Sequence, residues 1–352
     1  MKEIFLNDKD VSSQLFPFAV TRHVSDIRVG IFTIREKWAN LLPATILPLV
    51  ENITSEEGKV IFAANIIPSR AFVNSLKNGP KGLSANPDWH SVKLLQYPWH
   101  IFIWNDWAIR EDFEWIQSTR KSRPVPESVQ VINSKQVFIE EGATLSHCIL
   151  NASTGPIYIG RNAEVMEGAT IRGPFALCEG AVVKMGARIY GATTIGPFCV
   201  AGGEIKNSVL FGYSNKAHDG YLGDSVIGEW CNLGAGTTNS NLKNNATVIK
   251  VWNQASRDYV TAGTKCGLLM GDYSRSAINT SFNTGTVVGI CSNVFGDGLT
   301  PKFIPGFSWG TQTLSRYEFE KAIADINNWM QLKGQMLSEA ETIRLRTIFE
   351  LS

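Results

Sequence analysis

The stretch IGRNAEVMEGATIRGPFALCEGAVVKMGARIYGATTIGPFCVA, residues 159–201, carries an aliphatic residue at every sixth position. These residues are Ile159, Val165, Ile171, Leu177, Val183, Ile189, Ile195 and Ala201. A period of six fits neither the 3.6-residue period of a helix nor the two-residue period of a single strand. It is typical of a parallel β-helix, in which three six-residue units close a coil of about eighteen residues around an aliphatic centre.

A second regularity supports this interpretation, because the residue four positions after each aliphatic one is usually compact. The compact residues are Ala163, Ala169, Ala181, Ala187, Thr193 and Cys199, and Phe175 is the exception. The alternative is an ordinary β-sandwich with an accidental pattern. We predict a mainly β protein whose β-helix spans 126–312, with its coils beginning near Val137 and ending at Pro301 to Gly310. A small α/β domain at 1–125 would precede it, and helices at 313–352 would follow.

The flanking regions show helical and strand patterns instead of hexads. In the first 125 residues we predict strands at 60–67 and 101–104 and helices at 70–77 and 107–120. Asn78-Gly79 would end the first of these helices, and Asn105 or Asp106 would cap the second. The tryptophans at 99, 104, 107 and 115 are interpreted as packing residues. Near the C-terminus, apolar residues at helical spacing predict helices at 315–333 and 339–351.

Composition narrows the classes of partner. The chain has 33 basic and 32 acidic residues and no run of eighteen apolar residues, so we expect no nucleic-acid or membrane partner. The N-terminus lacks a basic segment followed by an apolar core, and the six cysteines have no CxxC spacing. We therefore expect a cytoplasmic protein with reduced thiols. No two of the five histidines suggest a helical metal pair, so we expect no metal site.

Two groups of basic residues are candidate anion sites. Arg22, Arg28 and Arg35 lie among apolar residues and could line such a site, or be surface charges. Arg188 and Lys206 are eighteen residues apart, so a uniform coil would stack them about 4.8 Å apart on one face. Stacked cations repel by roughly 1 to 3 kcal/mol, so either an anion such as phosphate lies between them or both side chains extend into water.

The hexad frame fails after Ala201, and it resumes two residues out of phase with Ile227 and Leu233. The segment between them, residues 212–220, holds His218. An imidazole has a pKa near 7 without perturbation, which suits a general base for acylation of an amine. The alternative for a lone loop histidine is a solvated side chain. We expect this break in the repeat to house the function.

At these residues the sequence resembles a known family. The segments NKAHDGYLGD at 215–224 and NLGAGT at 232–237 resemble the acetyltransferase half of the bifunctional N-acetylglucosamine-1-phosphate uridyltransferase/glucosamine-1-phosphate acetyltransferase. The resemblance covers roughly 137–295. It implies a left-handed β-helix, usually a homotrimer with active sites between subunits, that transfers acetyl from acetyl-CoA to the amine of a sugar phosphate.

The resemblance also implies roles for single residues. His218 matches the catalytic base, and Tyr221 and Asn232 match residues that hold the amino sugar. Arg188 and Lys206 match the cations that bind the sugar phosphate. Ala235 matches a main-chain contact to the acetyl donor.

Some features of the family are missing. A third phosphate-binding lysine has no counterpart, although Lys243 or Lys250 could substitute for it. The segments 15–22 and 31–38 resemble the N-terminus of sugar nucleotidyltransferases fused to this β-helix, yet residues 1–125 lack the glycine-rich loop that binds a triphosphate. We expect a reduced domain that transfers no nucleotide.

Three functions follow as hypotheses. The first is an acetyltransferase that acts from acetyl-CoA on the amine of a sugar phosphate or nucleotide sugar. The second is a sugar-1-phosphate nucleotidyltransferase that works from the N-terminal domain. The third is a non-catalytic relative that binds sugar phosphates or sugar nucleotides.

Overall fold

The aliphatic residues of the hexads point into the centre of a three-sided parallel β-helix, where each is at most 2% exposed. This computed structural model describes residues 3–49, 59–77, 88–311 and 315–351. The predicted fold class is confirmed, with a small α/β region before the β-helix and two helices after it. Each face of the β-helix is a sheet of short strands stacked in parallel.

Each face is named here by its strands. Face 1 comprises Gln130–Ile132, Ile149–Asn151, Thr170–Arg172, Arg188–Ile189, Glu204–Lys206 and Tyr221–Gly223, followed by the pair Thr238–Asn239 and Ser281–Phe282. Face 2 comprises Val137–Ile139, Ile157–Ile159, Phe175–Leu177, Thr193–Ile195, Val209–Leu210, Val226–Ile227, Leu268–Met270, Thr286–Val288 and Phe303–Ile304. Face 3 comprises Thr144–Leu145, Glu164–Val165, Val182–Val183, Val200–Ala201, Asn215–Lys216, Asn232–Leu233, Arg275–Ser276, Asn293–Val294 and Ser308–Trp309, with Ser315–Arg316 antiparallel at its end.

One insertion interrupts the coils. The antiparallel hairpin Ile249–Asn253 and Asp258–Gly263 stands between the strands Thr238–Asn239 and Leu268–Met270. The coils then resume in register, since Asn232 pairs with Arg275 on face 3.

The N-terminal region is built on a small parallel sheet. Its strands lie in the order Thr45–Pro48, Glu3–Asn7 and Lys59–Ala63. Two-stranded antiparallel pairs join Arg28–Val29 to Phe32–Thr33 and Ile66–Ile67 to Lys93–Leu94. In the described parts of this region the α-helices are Ile34–Leu41, Arg70–Lys77, His100–Ile103 and Asn105–Thr119, and the 3-10 helices are Ser12–Leu15, Val24–Asp26 and Trp89–Ser91. A further 3-10 helix, Ser134–Gln136, lies at the start of the β-helix.

Several local predictions for this region need correction. The predicted strand at 101–104 is wrong, because Ile101 and Phe102 are buried in a short helix while Ile103 is 41% exposed. A four-residue apolar run does not distinguish a strand from a helical turn. The helix predicted from 107 begins at Asn105, whose side chain is not a cap. The helix at 70–77 is confirmed, and its predicted end at Asn78-Gly79 lies outside the described residues.

The N-terminal region covers face 2. Phe18 packs against Phe211, with ring centroids 5.4 Å apart, and both side chains lie in one apolar cluster with Val226 and Leu269. The Asn105 amide nitrogen donates to Ala192 O at 2.8 Å, which ties the long helix to a turn of the β-helix. The N-terminal region thus occupies the outward side of face 2 at these strands.

The arginines of the N-terminal region are engaged in ion pairs. Arg22 donates to the buried Asp272 carboxylate at 2.8 Å, and Arg35 pairs with Asp26 at 2.6 Å. The Arg28 guanidinium lies 3.7 Å from the Glu36 carboxylate. The three arginines therefore do not line one anion site, because Arg22 anchors the region to the β-helix, Arg35 is paired with Asp26, and only Arg28 of the three lines a cavity.

The two C-terminal helices, Phe319–Gln331 and Glu339–Leu351, confirm the predicted pair. They pack on the late coils, where Phe319 and Ile326 join Trp230, Tyr273 and Phe307 in one buried cluster. No helix among the described residues is both long enough and apolar enough to cross a bilayer. All six cysteines are free and buried, as expected of reduced structural thiols.

Candidate functional site

The corner between face 3 and face 1 is shorter by two residues above the regular coils. In the regular coil four residues, 184–187, join Val183 to Arg188. In the next coil only Gly202 and Gly203 join Ala201 to Glu204. Gly203 has a φ of +69°, a left-handed conformation that glycine adopts without steric cost. This loss moves the next buried aliphatic residue to Ile205, two positions before the hexad position 207. One residue fewer before Leu210 and one fewer before Ile227 add to it, so that Ile227 lies four positions before 231, which is the offset seen in the sequence.

The shortened corner overturns the predicted stack of Arg188 and Lys206. Arg188 pairs in register with Glu204, and its Nε lies 3.6 Å from the Glu204 carboxylate. Lys206 is two residues further along the same strand and pairs with Gly223. The two cations therefore lie on neighbouring strands of face 1 as diagonal neighbours, roughly 7 to 8 Å apart at their backbones. They share a face, but they do not stack.

Tyr221 lies on face 1 one strand above Glu204. Its ring extends over Gly223, because a Cβ at Gly223 would lie 2.2 Å from the Tyr221 hydroxyl. The hydroxyl accepts a hydrogen bond from the Asn241 side chain at 3.1 Å. Burial, with the Asp224 and Glu204 carboxylates, raises the pKa of Tyr221 to about 12, so the phenol stays protonated. Since Gly223 pairs with Lys206, the phenol lies next to the Lys206 strand.

His218 lies in the corner between face 3 and face 1, directly above Gly202 and Gly203. Its side chain is exposed and makes no hydrogen bond with any residue the structure describes. A Cβ at Gly203 would lie 2.8 Å from His218 O and 2.9 Å from the Asp219 Cα. The backbone carrying His218 therefore rests closely on the shortened corner, and the imidazole remains accessible to a substrate.

Lys216 is an unexpected member of this region, because it points into the core and is only 1% exposed. It pairs in register with Ala201, whose small side chain leaves room for it. Its Nζ donates to Gly202 O at 3.3 Å and also to His218 O. Burial lowers the pKa of Lys216 to about 8. The amine thus links the shortened corner to the His218 corner.

Asn232 lies on face 3, around the corner from Arg188, Lys206 and Tyr221. It is stacked above Asn215, with 3.5 Å between the Asn215 amide nitrogen and the Asn232 side-chain oxygen. A cavity of about 330 Å³ lies here between face 3 and the first C-terminal helix. Its lining residues are Val200, Tyr213, Asn215, Ala217, Trp230, Cys231, Asn232, Trp329, Leu332 and Lys333. The cavity reaches Ala217, the residue before His218.

Ala235 lies in the corner one coil above His218. The next residue, Gly236, donates its N–H to Asp219 O at 3.1 Å, and Ala235 O accepts from Asn279 N at 2.7 Å. The carbonyl of Ala235 is therefore already used within the β-helix. Lys243, a suggested third phosphate ligand, donates to Val248 O at 2.6 Å.

The candidate residues therefore form two groups that meet at the His218 corner. Arg188, Lys206 and Tyr221 occupy face 1, while Asn232 occupies face 3. Within the described parts of the chain, no group of three or more His, Cys, Asp or Glu residues could hold a metal ion. The arrangement offers cations for an anion and an accessible base.

Comparisons with known proteins agree with the resemblance seen in the sequence. Residues 4–84 match the family described as sugar nucleotidyl transferase. The "Bifunctional protein GlmU" of Methanocaldococcus jannaschii is 37% identical over 86 residues, 24% of this chain and 21% of that protein. A "Bifunctional sugar-1-phosphate nucleotidylyltransferase/acetyltransferase" of Sulfurisphaera tokodaii is 28% identical over 215 residues, 58% of this chain and 47% of that protein. The chain thus spans less than half the length of these curated relatives.

Among solved structures, an Arabidopsis UDP-N-acetylglucosamine acyltransferase covers 63% of this chain and 81% of its own, at 15% identity and a TM-score of 0.32. The acetyltransferase domain of PglB from Neisseria gonorrhoeae, in complex with acetyl coenzyme A, covers 90% of this chain and 98% of its own. Its identity is 12% and its TM-score is 0.18.

Sequence reasoning missed two features that shape this site. Glu204 went unnoticed because a uniform coil placed Lys206 above Arg188. The signal that could have revealed it was Ile205, an aliphatic residue two positions before the expected hexad position 207. Lys216 went unnoticed because a lysine was not expected at a core position. Counting on from Ile205 and Leu210 in the shifted frame places residue 216 inside the β-helix.

Proposed function

We propose that this protein transfers an acetyl group from acetyl-CoA to the amine of a sugar phosphate or nucleotide sugar. The observation that carries the proposal is the order of groups along the β-helix axis. Arg188, Lys206 and the His218–Tyr221 segment come from three successive coils, so an anion bound by the cations places its sugar beside the imidazole. The bifunctional relatives support this assignment.

In the proposed reaction, Arg188 and Lys206 bind the phosphate and Tyr221 contacts the sugar ring. His218 accepts a proton as the acceptor nitrogen bonds to the acetyl carbon. The carbon–sulfur bond of the thioester then breaks, and the proton passes from His218 to the departing thiolate. Main-chain N–H groups of the coil stabilise the oxyanion that forms on the acetyl oxygen. The cavity beside Asn232 and Ala217 is the proposed place for the acetyl-CoA arm, with Ala235 next to it.

The site also needs a second subunit under this proposal. Asn232 lies on a different face from Arg188, so one chain does not bring both against the same small ligand. A homotrimer in which a neighbour supplies the missing face would complete the site. Mixing Arg188→Ala and Asn232→Ala chains by co-expression would then restore part of the activity that each variant lacks alone.

The main test incubates the protein with acetyl-CoA and glucosamine 1-phosphate and follows free CoA. His218→Ala is expected to reduce kcat by about 10²- to 10⁴-fold, the usual contribution of a general base. His147→Ala is the matched control, because His147 is exposed in the same corner near the start of the β-helix. Undiminished turnover in His218→Ala refutes the assigned base. Tight ligand binding without product would instead favour a non-catalytic relative.

A second candidate, sugar-1-phosphate nucleotidyl transfer, is favoured by the match of residues 4–84. A cavity of about 320 Å³ between the N-terminal region and face 2 is lined by Arg28, Arg120 and Arg161 among others. Arg120 is paired with Glu140 at 2.7 Å, whereas the Arg161 side chain has no ion pair with the described residues. Release of pyrophosphate from UTP or dTTP with a hexose 1-phosphate, reduced in Arg161→Ala, would support this function.

A further inference from the structure

Face 1 carries more positive charge than one phosphate requires. Besides Arg188 and Lys206, the preceding strand ends in Arg172, which is also exposed. Thr170 pairs with Arg188 and Ile171 with Ile189, so Arg172 lies beside Tyr190. Ile189 pairs with Ile205 in turn, which places Tyr190 beside Lys206. A tyrosine thus lies between a cation on the strand below and a cation on the strand above.

These cations lack strong partners on the protein. The side chains of Arg172 and Lys206 make no hydrogen bond or ion pair with the residues that the structure describes. Among the described residues Arg188 has one ion-pair partner, the partly exposed Glu204 at 3.6 Å, with 53% of the arginine and 36% of the glutamate side chain accessible. Exposed pairs of this kind contribute about 0 to 1 kcal/mol and are easily exchanged for a ligand. Three cations on successive strands therefore form an anion surface that the protein neutralises only weakly, through Glu204.

A cavity extends this surface away from His218. It measures about 300 Å³ and is lined by Ile149, Asn151, Thr170, Ile171, Arg172, Arg188, Ile189 and Tyr190. Arg188 is shared between this cavity and the proposed phosphate site. A sugar monophosphate held by Arg188 and Lys206 leaves Arg172 and the rest of the cavity without a contact.

Resting on the proposed function, we propose that the acceptor is a nucleoside diphosphate amino sugar and that Arg172 and Tyr190 bind its second phosphate. Strands of a sheet lie about 4.8 Å apart, so the three steps from Tyr221 down to Arg172 cover about 14 Å. A sugar ring followed by a diphosphate and a nucleoside is long enough to span these steps, whereas a sugar monophosphate is not.

The order of contacts follows from the order of strands. The amine lies at His218 and the sugar beside Tyr221. The first phosphate lies between Lys206 and Arg188, and the second between Arg188 and Arg172, where the Tyr190 hydroxyl can donate to a phosphate oxygen. The nucleoside then occupies the end of the cavity formed by Ile149 and Asn151.

The test measures binding and acetyl transfer separately on the full chain. Calorimetry with UDP-glucosamine, GDP-glucosamine and glucosamine 1-phosphate gives three dissociation constants for the wild type. Arg172→Ala is expected to weaken at least one nucleotide sugar about tenfold, because a charge-assisted contact is lost, and glucosamine 1-phosphate less than twofold. Arg257→Ala, at an exposed position of the inserted hairpin, removes the same charge and is expected to change none of the three.

Equal affinities for the nucleotide sugars and the monophosphate, or an equal loss for all of them in Arg172→Ala, would overturn the inference. Failure of the proposed function has a different signature. If acetyl transfer occurs on UDP-glucosamine and GDP-glucosamine without any dependence on Arg172, the function stands and the inference fails. If the Arg172-dependent preference for a diphosphate is found without acetyl transfer, the ligand class stands and the function fails.

Discussion

The regular coils of residues 159–201 and the shifted coils of residues 202–239 use the same fold in different ways. In the regular coils each face 3 strand pairs with one eighteen residues later, as Val165 does with Val183. In the shifted coils Ala201 pairs with Lys216, and Asn215 pairs with Asn232. Of the residues assigned to acetyl transfer only Arg188 lies in the regular coils, which also hold Arg172 and Tyr190 of the proposed diphosphate site.

The difference teaches that loss of residues, and not insertion, creates the site. Removing two residues from a corner shifts the next face 1 strand by two positions, so the strand above Arg188 presents Glu204 first and Lys206 second. The same loss leaves only Gly202 and Gly203 beneath the His218 backbone. The regular coils supply a rigid stack, and the shortened corner aligns the groups that the proposed reaction uses.

The largest expected effect comes from the glycine of the shortened corner. Gly203 and Gly186 occupy the same corner in successive coils, with φ of +69° and +67°. An alanine at either position costs about 1 to 2 kcal/mol of backbone strain. At Gly203 the new Cβ also meets His218 O, the Asp219 Cα and Gly220 O within 2.9 Å, whereas at Gly186 it meets nothing within 4 Å.

Gly203→Ala is therefore expected to lower the free energy of unfolding by about 1 to 3 kcal/mol more than Gly186→Ala does, since overpacking adds to the strain. Urea denaturation of the two variants measures this difference. Acetyl transfer should fall only in Gly203→Ala, because the backbone of His218 must move. Equal losses of stability would show that the close approach beneath His218 has no energetic consequence.

The sequence was sufficient to predict the regular coils. The hexads from Ile159 to Ala201 specify a buried residue at every sixth position, and each of those residues lies in the core. The last helix, Glu339–Leu351, was predicted with the bounds that the structure has. Periodic apolar patterns are local, so they can be recognised without knowledge of tertiary contacts.

The relation between coils could not be predicted in the same way. Stacking depends on the number of residues in each corner, so a uniform repeat length placed Lys206 above Arg188 when Glu204 occupies that place. The helix His100–Ile103 was misassigned because its burial depends on tertiary packing, in the apolar cluster that contains Ile101 and Phe102. The contact of Arg22 with Asp272 could not be predicted, because 250 residues separate the two along the chain.

An intermediate effect on the free energy of unfolding is expected from the buried amine of Lys216. Burial lowers its pKa from 10.5 to about 8 in the folded protein. Between these values the unfolded chain binds more protons at this residue, so its contribution to stability increases with pH from about 8 to 10.5. Compared with Lys216→Met, the wild type should therefore gain stability on the order of 2 kcal/mol across this window.

Urea denaturation of both proteins at pH 7.5, 9 and 10.5 tests this prediction, because other titrating groups cancel in the difference. The core of the coil that contains Lys216 would then hold a titratable group. Ala201 and Leu233 occupy the equivalent position in the adjacent coils and do not titrate. Parallel stability curves across the window would mean that the Lys216 amine is not held in the core.

The smallest effect on stability is expected at the exposed pair of Arg188 and Glu204. Glu204→Thr gives the shifted coil the residue that Thr170 supplies beneath Arg188 in the regular coil. Exposed ion pairs contribute about 0 to 1 kcal/mol, so the free energy of unfolding should change by less than about 1 kcal/mol. Removing a carboxylate next to Arg188 should raise the affinity for inorganic phosphate by roughly three- to fivefold, because a repulsion of about 1 kcal/mol in water is lost.

Titration with inorganic phosphate at low ionic strength measures this change, and Glu164→Thr on face 3 is the control for net charge alone. A rise that appears only in Glu204→Thr locates the anion on face 1, and salt should diminish it, because exposed charges are screened. A rise of equal size in both variants would reflect net charge. A weaker affinity for phosphate in Glu204→Thr would instead mean that Glu204 orients the Arg188 guanidinium. The Glu204 carboxylate, which lies where Lys206 was predicted, would then be part of the anion site.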